Sequence, residues 1–188
     1  MTGWEWTLGL LVVPLLLLGL YLRGLAARLD RLHLSVEVSA AVLDARLERR
    51  AALTREVALE VGLDPASALL LIDAATTAQH TERSGPVRIA AESDLSAALR
   101  AVFDDEETVA EMAEDPDVRS RLAELAEVTH GVALARRFAN DAARAAVAVR
   151  RRAIVRALHL AGHAPWPQSR DLDDSPPEAL ARIALDSA

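Results

Sequence analysis

The sequence predicts an all-α protein in which an N-terminal transmembrane helix continues into an antiparallel, up-and-down helical bundle with long first and last helices. Residues 6–22 are apolar and uncharged, and later apolar residues recur at steps of three and four. Aromatic residues make up only 3% of the chain, whereas Ala, Leu, Arg and Glu are abundant. No alternation typical of strands occurs, so a helical fold is expected throughout.

The apolar segment 6–22 lies between Glu5 and Arg23 and has nearly the length of a membrane span. A helix of this length reaches about 26 Å, slightly less than the roughly 30 Å hydrocarbon core. Its nine leucines favour insertion by roughly 4 to 5 kcal/mol, so Pro14 should bend the helix without abolishing it. The alternatives are a cleaved signal peptide, which should begin with basic residues, and a buried core helix, which should be amphipathic.

Basic residues flank the segment on one side only, since Arg23, Arg28 and Arg31 follow it and none precedes it. The positive-inside rule therefore predicts a single-pass protein of the cell membrane, with its N-terminus outside and its C-terminal part in the cytoplasm. Aromatic residues stand where the two interfacial belts of a span are expected: Trp4, Trp6 and Tyr21.

Composition excludes several classes of function. The chain has no cysteine, which excludes disulfides, thiol nucleophiles and cysteine-ligated metals. A net charge of −7 argues against nucleic acid as a general partner. We predict three segments: an anchor at 1–23, a helical bundle at 24–162 and a Pro-rich, acidic tail at 163–188.

The first bundle helix should follow the span directly, because residues 24–61 contain no helix breaker and Gly62 then ends the helix. Its buried stripe is expected at Leu29, Leu32, Val36, Ala40, Leu43, Leu47 and Ala51.

A second helix is predicted from Asp64, as its N-cap, and Pro65 to about His80. Its run of four bulky residues, Leu69 to Ile72, predicts a central position. Residues 81–91 lack a helical period and are expected to form a connector.

A third helix is predicted from Ser93, as its N-cap. It leads into residues 104–117, which hold eight acidic side chains and turn at Pro116. We interpret this stretch as a solvated helix end and turn; a cation site is the alternative, but it would need glycine or asparagine among the carboxylates.

The last long helix is predicted from Asp117 to about Ala161, with Gly162 as its stop. Four of the eight prolines follow in residues 163–177, which cannot be helical throughout. Residues 178–186 are expected to form a short terminal helix.

Three segments resemble the LemA family, in the order that the family has them. The sequence LDARLERRAALTREV at 43–57 is similar to the first helix after the family's span, EDPDVRSRLAEL at 114–125 to its acidic turn, and VALARRFANDAARA at 132–145 to its signature. The chain differs at Ala139, where the family usually has tyrosine, and at 54–56, which typically include Pro-Asn. The resemblance implies a membrane-anchored helical bundle of the bacterial cell envelope, a scaffold without recognised catalytic activity, and no active site.

No residue pattern predicts catalysis, a cofactor or a metal. Only His159 and His163 have the spacing of metal ligands, but Gly162 lies between them and no third ligand is near. The serines lie in no nucleophile-elbow context, and no glycine-rich phosphate loop occurs. The other three histidines are interpreted as surface or interfacial residues: His33, His80 and His130.

The last long helix carries two polar features. Asn140, the only asparagine, and Asp141 together lower helix propensity by roughly 1 kcal/mol relative to alanine. We predict a structural polar cluster that fixes helix register, as buried polar residues do in coiled coils; a ligand-binding role and solvent exposure are alternatives. The expected partners of this pair are Arg136, Arg137, Arg49 and Arg50.

The second feature is a basic cluster at Arg150, Arg151, Arg152 and Arg156. Three interpretations stay open: a solvated face, a contact with anionic lipid, and a surface for a protein partner or a second copy.

The sequence therefore predicts a membrane-anchored, non-catalytic scaffold or interaction protein. Its expected partners are the lipid bilayer, through residues 6–22, and another protein or a second copy. The alternative is a ligand- or metal-sensing module with its site between bundle helices, and an enzyme is third. Neither nucleic acid nor a small-molecule substrate is expected.

Overall fold

The computed structural model describes residues 3–82, 85–158, 162 and 165–186. Its regular structure over these ranges is helical, without a strand, which confirms the predicted all-α class. In chain order the helices are α1 (Gly3–Glu60), α2 (Pro65–His80), α3 (Pro86–Phe103), α4 (Glu106–Met112), α5 (Pro116–Arg150), α6 (Ala153–Ala157) and α7 (Glu178–Asp186).

The chain forms two compact units. The first unit comprises residues 1–38 and 141–168, and the second comprises residues 39–140 and 169–188. The long helices α1 and α5 contribute residues to both units.

The apolar segment and the first bundle helix are parts of one helix, α1, which also contains Pro14. The predicted continuation of the apolar segment into the first bundle helix is therefore confirmed. Every side chain of residues 10–21 is exposed, and by length and composition α1 contains a stretch that could cross a membrane. The side chains of Trp4 and Trp6, predicted for an aromatic belt, lie outside the described part of the structure.

The first unit has a small apolar core of its own. Leu25 and Leu29 of α1 are buried with Val149 of α5 and Val155 of α6. Since Leu25 comes three residues after the apolar segment, this core holds the end of α5 and all of α6 beside the part of α1 that follows the segment.

The helix predicted to run to Ala161 ends at Arg150 instead, and α6 begins at Ala153. The helix breaks at Arg152, whose backbone is extended, with φ −62° and ψ 135°. This change of direction accompanies the burial of Val155 in the core of the first unit, a tertiary contact that local helix propensity does not encode.

The second unit encloses the main apolar core, to which helices α1, α2, α3, α4, α5 and α7 contribute. Burying one leucine or phenylalanine side chain contributes roughly 1.5–3 kcal/mol. The largest core side chains, all fully buried, are Leu53, Leu71, Leu95, Leu99, Phe103, Leu122, Leu125 and Leu180.

Helix α2 begins as predicted, because the Asp64 carboxylate accepts a 2.9 Å hydrogen bond from the backbone N–H of Ala66. Its bulky apolar run is not central, however. Leu71 is fully buried, whereas Leu69 is 67% exposed. Consecutive helical residues point about 100° apart, so a run of four cannot face one core.

Helix α3 begins at Pro86, seven residues before the predicted start at Ser93. Proline fits the first helical position, and Gly85 has a φ of +106° that allows the chain to turn into it. Ser93 lies inside the helix and donates a 2.8 Å hydrogen bond to the carbonyl of Ile89. The connector predicted at 81–91 therefore ends before Pro86.

The acidic stretch is solvated, as the sequence predicts, and all eight carboxylates are exposed. Two of them cap helix starts: Asp105 accepts a hydrogen bond of 2.8 Å from the Thr108 N–H, and Asp115 one of 2.8 Å from the Asp117 N–H.

The C-terminal residues from 169 onward belong to the second unit. The predicted terminal helix is confirmed as α7, and both Leu172 before it and Leu180 within it are buried. The division into anchor, bundle and tail stays a prediction, because helix contacts do not report where a membrane lies.

Candidate functional site

Three charged side chains meet inside the second unit: Arg50 of α1, and Arg88 and Glu92 of α3. Arg50 and Glu92 are fully buried, and Arg88 is nearly so. Arg50 Nη2 lies 2.8 Å from Glu92 Oε2, and Arg88 Nη2 lies 2.7 Å from Glu92 Oε1. The carboxylate is therefore held between two guanidinium groups.

The same arginines also bind neighbouring helices. Arg50 Nη1 donates a 2.9 Å hydrogen bond to Ser96 Oγ, and Arg88 Nη1 donates one of 2.8 Å to the carbonyl of Ala78. Because the last carbonyls of a helix lack intrahelical donors, Arg88 stabilises the C-terminal end of α2. The network thus joins α1, α2 and α3.

Burial lowers the pKa of Arg50, and the adjacent Glu92 carboxylate opposes this effect. Asp174 adds a smaller favourable charge interaction with Arg50. The network has two cations around one anion, so removing Glu92 would leave two buried positive charges. Breaking a buried pair in this way costs about 3–5 kcal/mol.

Arg50 belongs to the predicted polar cluster, but its partner Glu92 and the neighbouring Arg88 do not. Arg88 fell in the predicted connector, outside any helix. Its i,i+4 spacing to Glu92 was the available signal, and it is meaningful only when both residues lie on one helix.

Asn140 binds the C-terminal segment rather than an arginine side chain. Its Nδ2 donates a 3.0 Å hydrogen bond to the carbonyl of Arg170, and its Oδ1 accepts one of 2.8 Å from the Arg170 N–H. At 8% exposure, Asn140 satisfies a backbone donor and a backbone acceptor together.

We call residues 169–177 the C-terminal strap. Arg136 binds Asp174 through both oxygens, at 2.6 and 2.9 Å, and this hydrogen-bonded carboxylate raises the pKa of Arg136. The Arg170 side chain forms a half-buried ion pair with Asp44 of α1. The strap is therefore bound to both α1 and α5.

The strap is also bound to α3. Arg100 Nη2 lies 2.6 Å from Asp173 Oδ2, and Arg100 Nη1 donates a 2.9 Å hydrogen bond to the carbonyl of Ser175. The backbone N–H of Ser175 lowers the pKa of Asp173, and Arg100 lowers it further. Asp104 then accepts a 3.0 Å hydrogen bond from the Glu178 N–H at the start of α7.

The remaining residues of the predicted cluster are exposed. Asp141 pairs with Arg144 one turn along α5, and Arg49 pairs with Glu124. Arg137 is exposed. Within the described residues, the predicted set therefore divides into one buried network at Arg50, two strap contacts at Asn140 and Arg136, and surface positions.

The basic cluster lies in the first unit. Arg150 is only 6% exposed, and its guanidinium carbon lies 4.6 Å from the centre of the Trp166 ring. Arg150 Nη1 donates a 2.6 Å hydrogen bond to the carbonyl of Pro165. The other arginines of the cluster are exposed: Arg151, Arg152 and Arg156.

Charge is divided unequally between the two units. The first unit contains eight arginines and four acidic residues, a net charge of +4, whereas the second contains thirteen arginines and twenty-four acidic residues, a net charge of −11. The apolar segment thus shares its unit with the excess of positive charge.

No group of three His, Asp or Glu side chains among the described residues is arranged to hold a metal ion. His159 and His163, which have the spacing of metal ligands, lie outside the described residues.

No protein-family model matches this chain, and no curated protein or solved structure matches it significantly.

Proposed function

We propose that this protein is a single-pass membrane protein of the bacterial cell envelope whose helical units form a non-catalytic scaffold, similar to the LemA family. The observation that supports this most directly is the exposed apolar face of α1. Leu10, Leu11 and Leu15 are 79%, 73% and 70% exposed. Burying one leucine side chain is worth roughly 1.5–3 kcal/mol, so the nine exposed Leu and Val side chains of residues 10–21 favour a lipid environment.

The division of charge supports an N-out orientation. The segment at 6–22 shares a unit of net charge +4 with the arginines that follow it and with residues 141–168. Positive charge close to a span favours the cytoplasmic side, where the leaflet is anionic. On this basis the C-terminal part of the chain is cytoplasmic.

Internal ion pairing supports a scaffold. Buried polar side chains of the second unit bind one another and backbone groups, as Arg50 does with the Glu92 carboxylate and Asn140 with the Arg170 carbonyl. Such contacts position helices and leave the exposed surface for a partner.

Membrane insertion and topology are tested together by carbonate extraction and by reporters fused to Ala188. We expect the chain to stay in the membrane pellet, a cytoplasm-active reporter to be active and a periplasm-active one to be silent.

Leu15→Arg with Leu16→Arg should prevent insertion, because each charge at the centre of a span is unfavourable by about 2.5–3.5 kcal/mol. Leu69→Arg with Leu70→Arg, on the exposed face of α2, is the matched control. Extraction of the unaltered chain into the supernatant would refute the span, and reversed reporter activities would refute the orientation.

The scaffold role is tested by cross-linking in native membranes followed by mass spectrometry. We expect reproducible cross-links from the second unit to one partner protein or to a second copy. Cross-links confined to the chain itself would contradict a scaffold.

A ligand-binding module is the second candidate, and one observation favours it. A cavity of about 620 Å³ lies beside Arg150 and Trp166, within the size range of small-molecule sites.

A further inference from the structure

The first unit has an open cavity whose lining combines two arginines with a tryptophan. Its walls include Arg150, Val155, Arg156 and Trp166. Arg150 is 94% buried and is held by Trp166 and by the carbonyl of Pro165, so its guanidinium group is fixed in position. Arg156 and Trp166, which also line the cavity, are exposed.

The cavity lies close to the end of the apolar segment. Val155 lines the cavity and also packs in the core formed with Leu25 and Leu29 of α1. Along the axis of α1, Leu25 lies about 5 Å and Leu29 about 10 Å beyond Leu22. The headgroup layer on each side of a bilayer is about 5–8 Å thick, so the cavity wall is at headgroup depth if residues 6–22 span the membrane.

The charge and chemistry of the cavity fit an anionic phosphate. Residues 141–168 contain five arginines and one acidic residue. Guanidinium groups bind phosphate oxygens through two parallel hydrogen bonds, and tryptophan is enriched at the membrane interface. The cavity presents Arg156 and Trp166 together, so it offers both a phosphate ligand and an interfacial aromatic side chain.

We propose that this cavity binds the phosphate group of an anionic membrane lipid. The proposal rests on the membrane span proposed above. Arg150 and Arg156 bind the phosphate, while Trp166 holds Arg150 and packs against the glycerol part of the headgroup. Arg151 and Arg152, which do not line the cavity, add only general attraction to the leaflet.

The test uses the full chain in a non-ionic detergent, with Trp4→Phe and Trp6→Phe so that Trp166 is the only tryptophan. Trp166 fluorescence is followed during titration with dihexanoyl phosphatidylglycerol, with zwitterionic dihexanoyl phosphatidylcholine, and with inorganic phosphate. We expect saturable binding of phosphatidylglycerol and much weaker binding of the other two.

Arg156→Gln should weaken the binding of phosphatidylglycerol about fivefold, the effect of one arginine contact with an anionic lipid. Arg156 is exposed, so its loss should not disturb folding. Arg144→Gln removes an equal charge from an exposed site of the same unit and should change the affinity less than about twofold. Arg150→Gln should weaken binding at least as much as Arg156→Gln.

Equal effects of Arg156→Gln and Arg144→Gln would overturn the site. If inorganic phosphate binds as tightly as phosphatidylglycerol, the proposal that the ligand is a lipid is refuted. Since the titration is made in detergent, it does not require insertion of α1. If carbonate releases the chain into the supernatant but lipid binding still depends on Arg156, the proposed span is refuted and the site is supported.

Discussion

Arg50 and Glu92 form a fully buried ion pair between α1 and α3, with 2.8 Å between Arg50 Nη2 and Glu92 Oε2. Arg88 binds the other carboxylate oxygen, so one anion joins two helices and is shared by two cations. Any sliding of α1 along α3 would separate these charges where no water can replace the lost contacts. We infer that the pair fixes the register of the two helices.

Removing the shared anion should therefore be strongly destabilising. Glu92→Gln leaves Arg50 and Arg88 buried beside each other, and we expect a loss of about 3–5 kcal/mol in the free energy of unfolding. The measurement is denaturant unfolding of the full chain in a non-ionic detergent, followed by circular dichroism. Glu124→Gln, which removes a surface partner of Arg49 and Arg121, is the control and should cost at most about 1 kcal/mol. A loss for Glu92→Gln no larger than for Glu124→Gln would show that the buried pair contributes nothing to stability.

Replacement by alanine should destabilise the protein at Asn140 and have little effect at the neighbouring Asp141. Asn140→Ala leaves a backbone donor and acceptor of Arg170 unpaired, so we expect a loss of about 1–3 kcal/mol. Asp141→Ala removes an exposed ion pair and raises helix propensity, so its effect should stay within about 0.5 kcal/mol. Hydrogen exchange of residues 169–177 should increase only in Asn140→Ala. Equal exchange in both variants would mean that Asn140 does not hold the strap.

Helix α7 should be required for the main core, although it lies at the end of the chain. Leu180 is 1% exposed, so Leu180→Ala should cost about 2–5 kcal/mol. Leu69→Ala removes the same atoms from a side chain that is 67% exposed and should change stability by less than about 0.5 kcal/mol. Thermal unfolding of both variants measures the difference, and similar midpoints would show that α7 is peripheral.

Acid should loosen the C-terminal strap through Asp173. Its pKa is lowered from the ordinary value of 3.8 in the folded protein, so its stabilising contribution is fully present above pH 3.8 and is lost as the pH falls through the lower folded-state pKa. Asp173→Asn should therefore reduce the fall of the melting temperature between neutral pH and about pH 3. Asp171→Asn, which removes one exposed charge from the same strap, is the control. An unchanged acid dependence in Asp173→Asn would exclude this role.

The candidate sites were predictable only in part. The sequence predicts that Asn140 needs a polar partner and offers Arg50 as one candidate, because propensity and charge are local properties. Their partners were not found, since Glu92 is 42 residues from Arg50 and Arg170 is 30 residues from Asn140. One misplaced boundary, the start of α3 at Pro86, concealed the i,i+4 pair at Arg88 and Glu92.

By itself the sequence determined the all-α class, the apolar segment that runs on into the first bundle helix, the Asp64 cap and the terminal helix α7. These features follow from composition, periodicity and capping, which act over a few residues. The tertiary structure decided that α5 breaks at Arg152, that Leu69 is exposed, and that residues 169–186 pack within the second unit. Each of these depends on a surface formed by distant parts of the chain, and the free energy of burying a side chain there outweighs local preference.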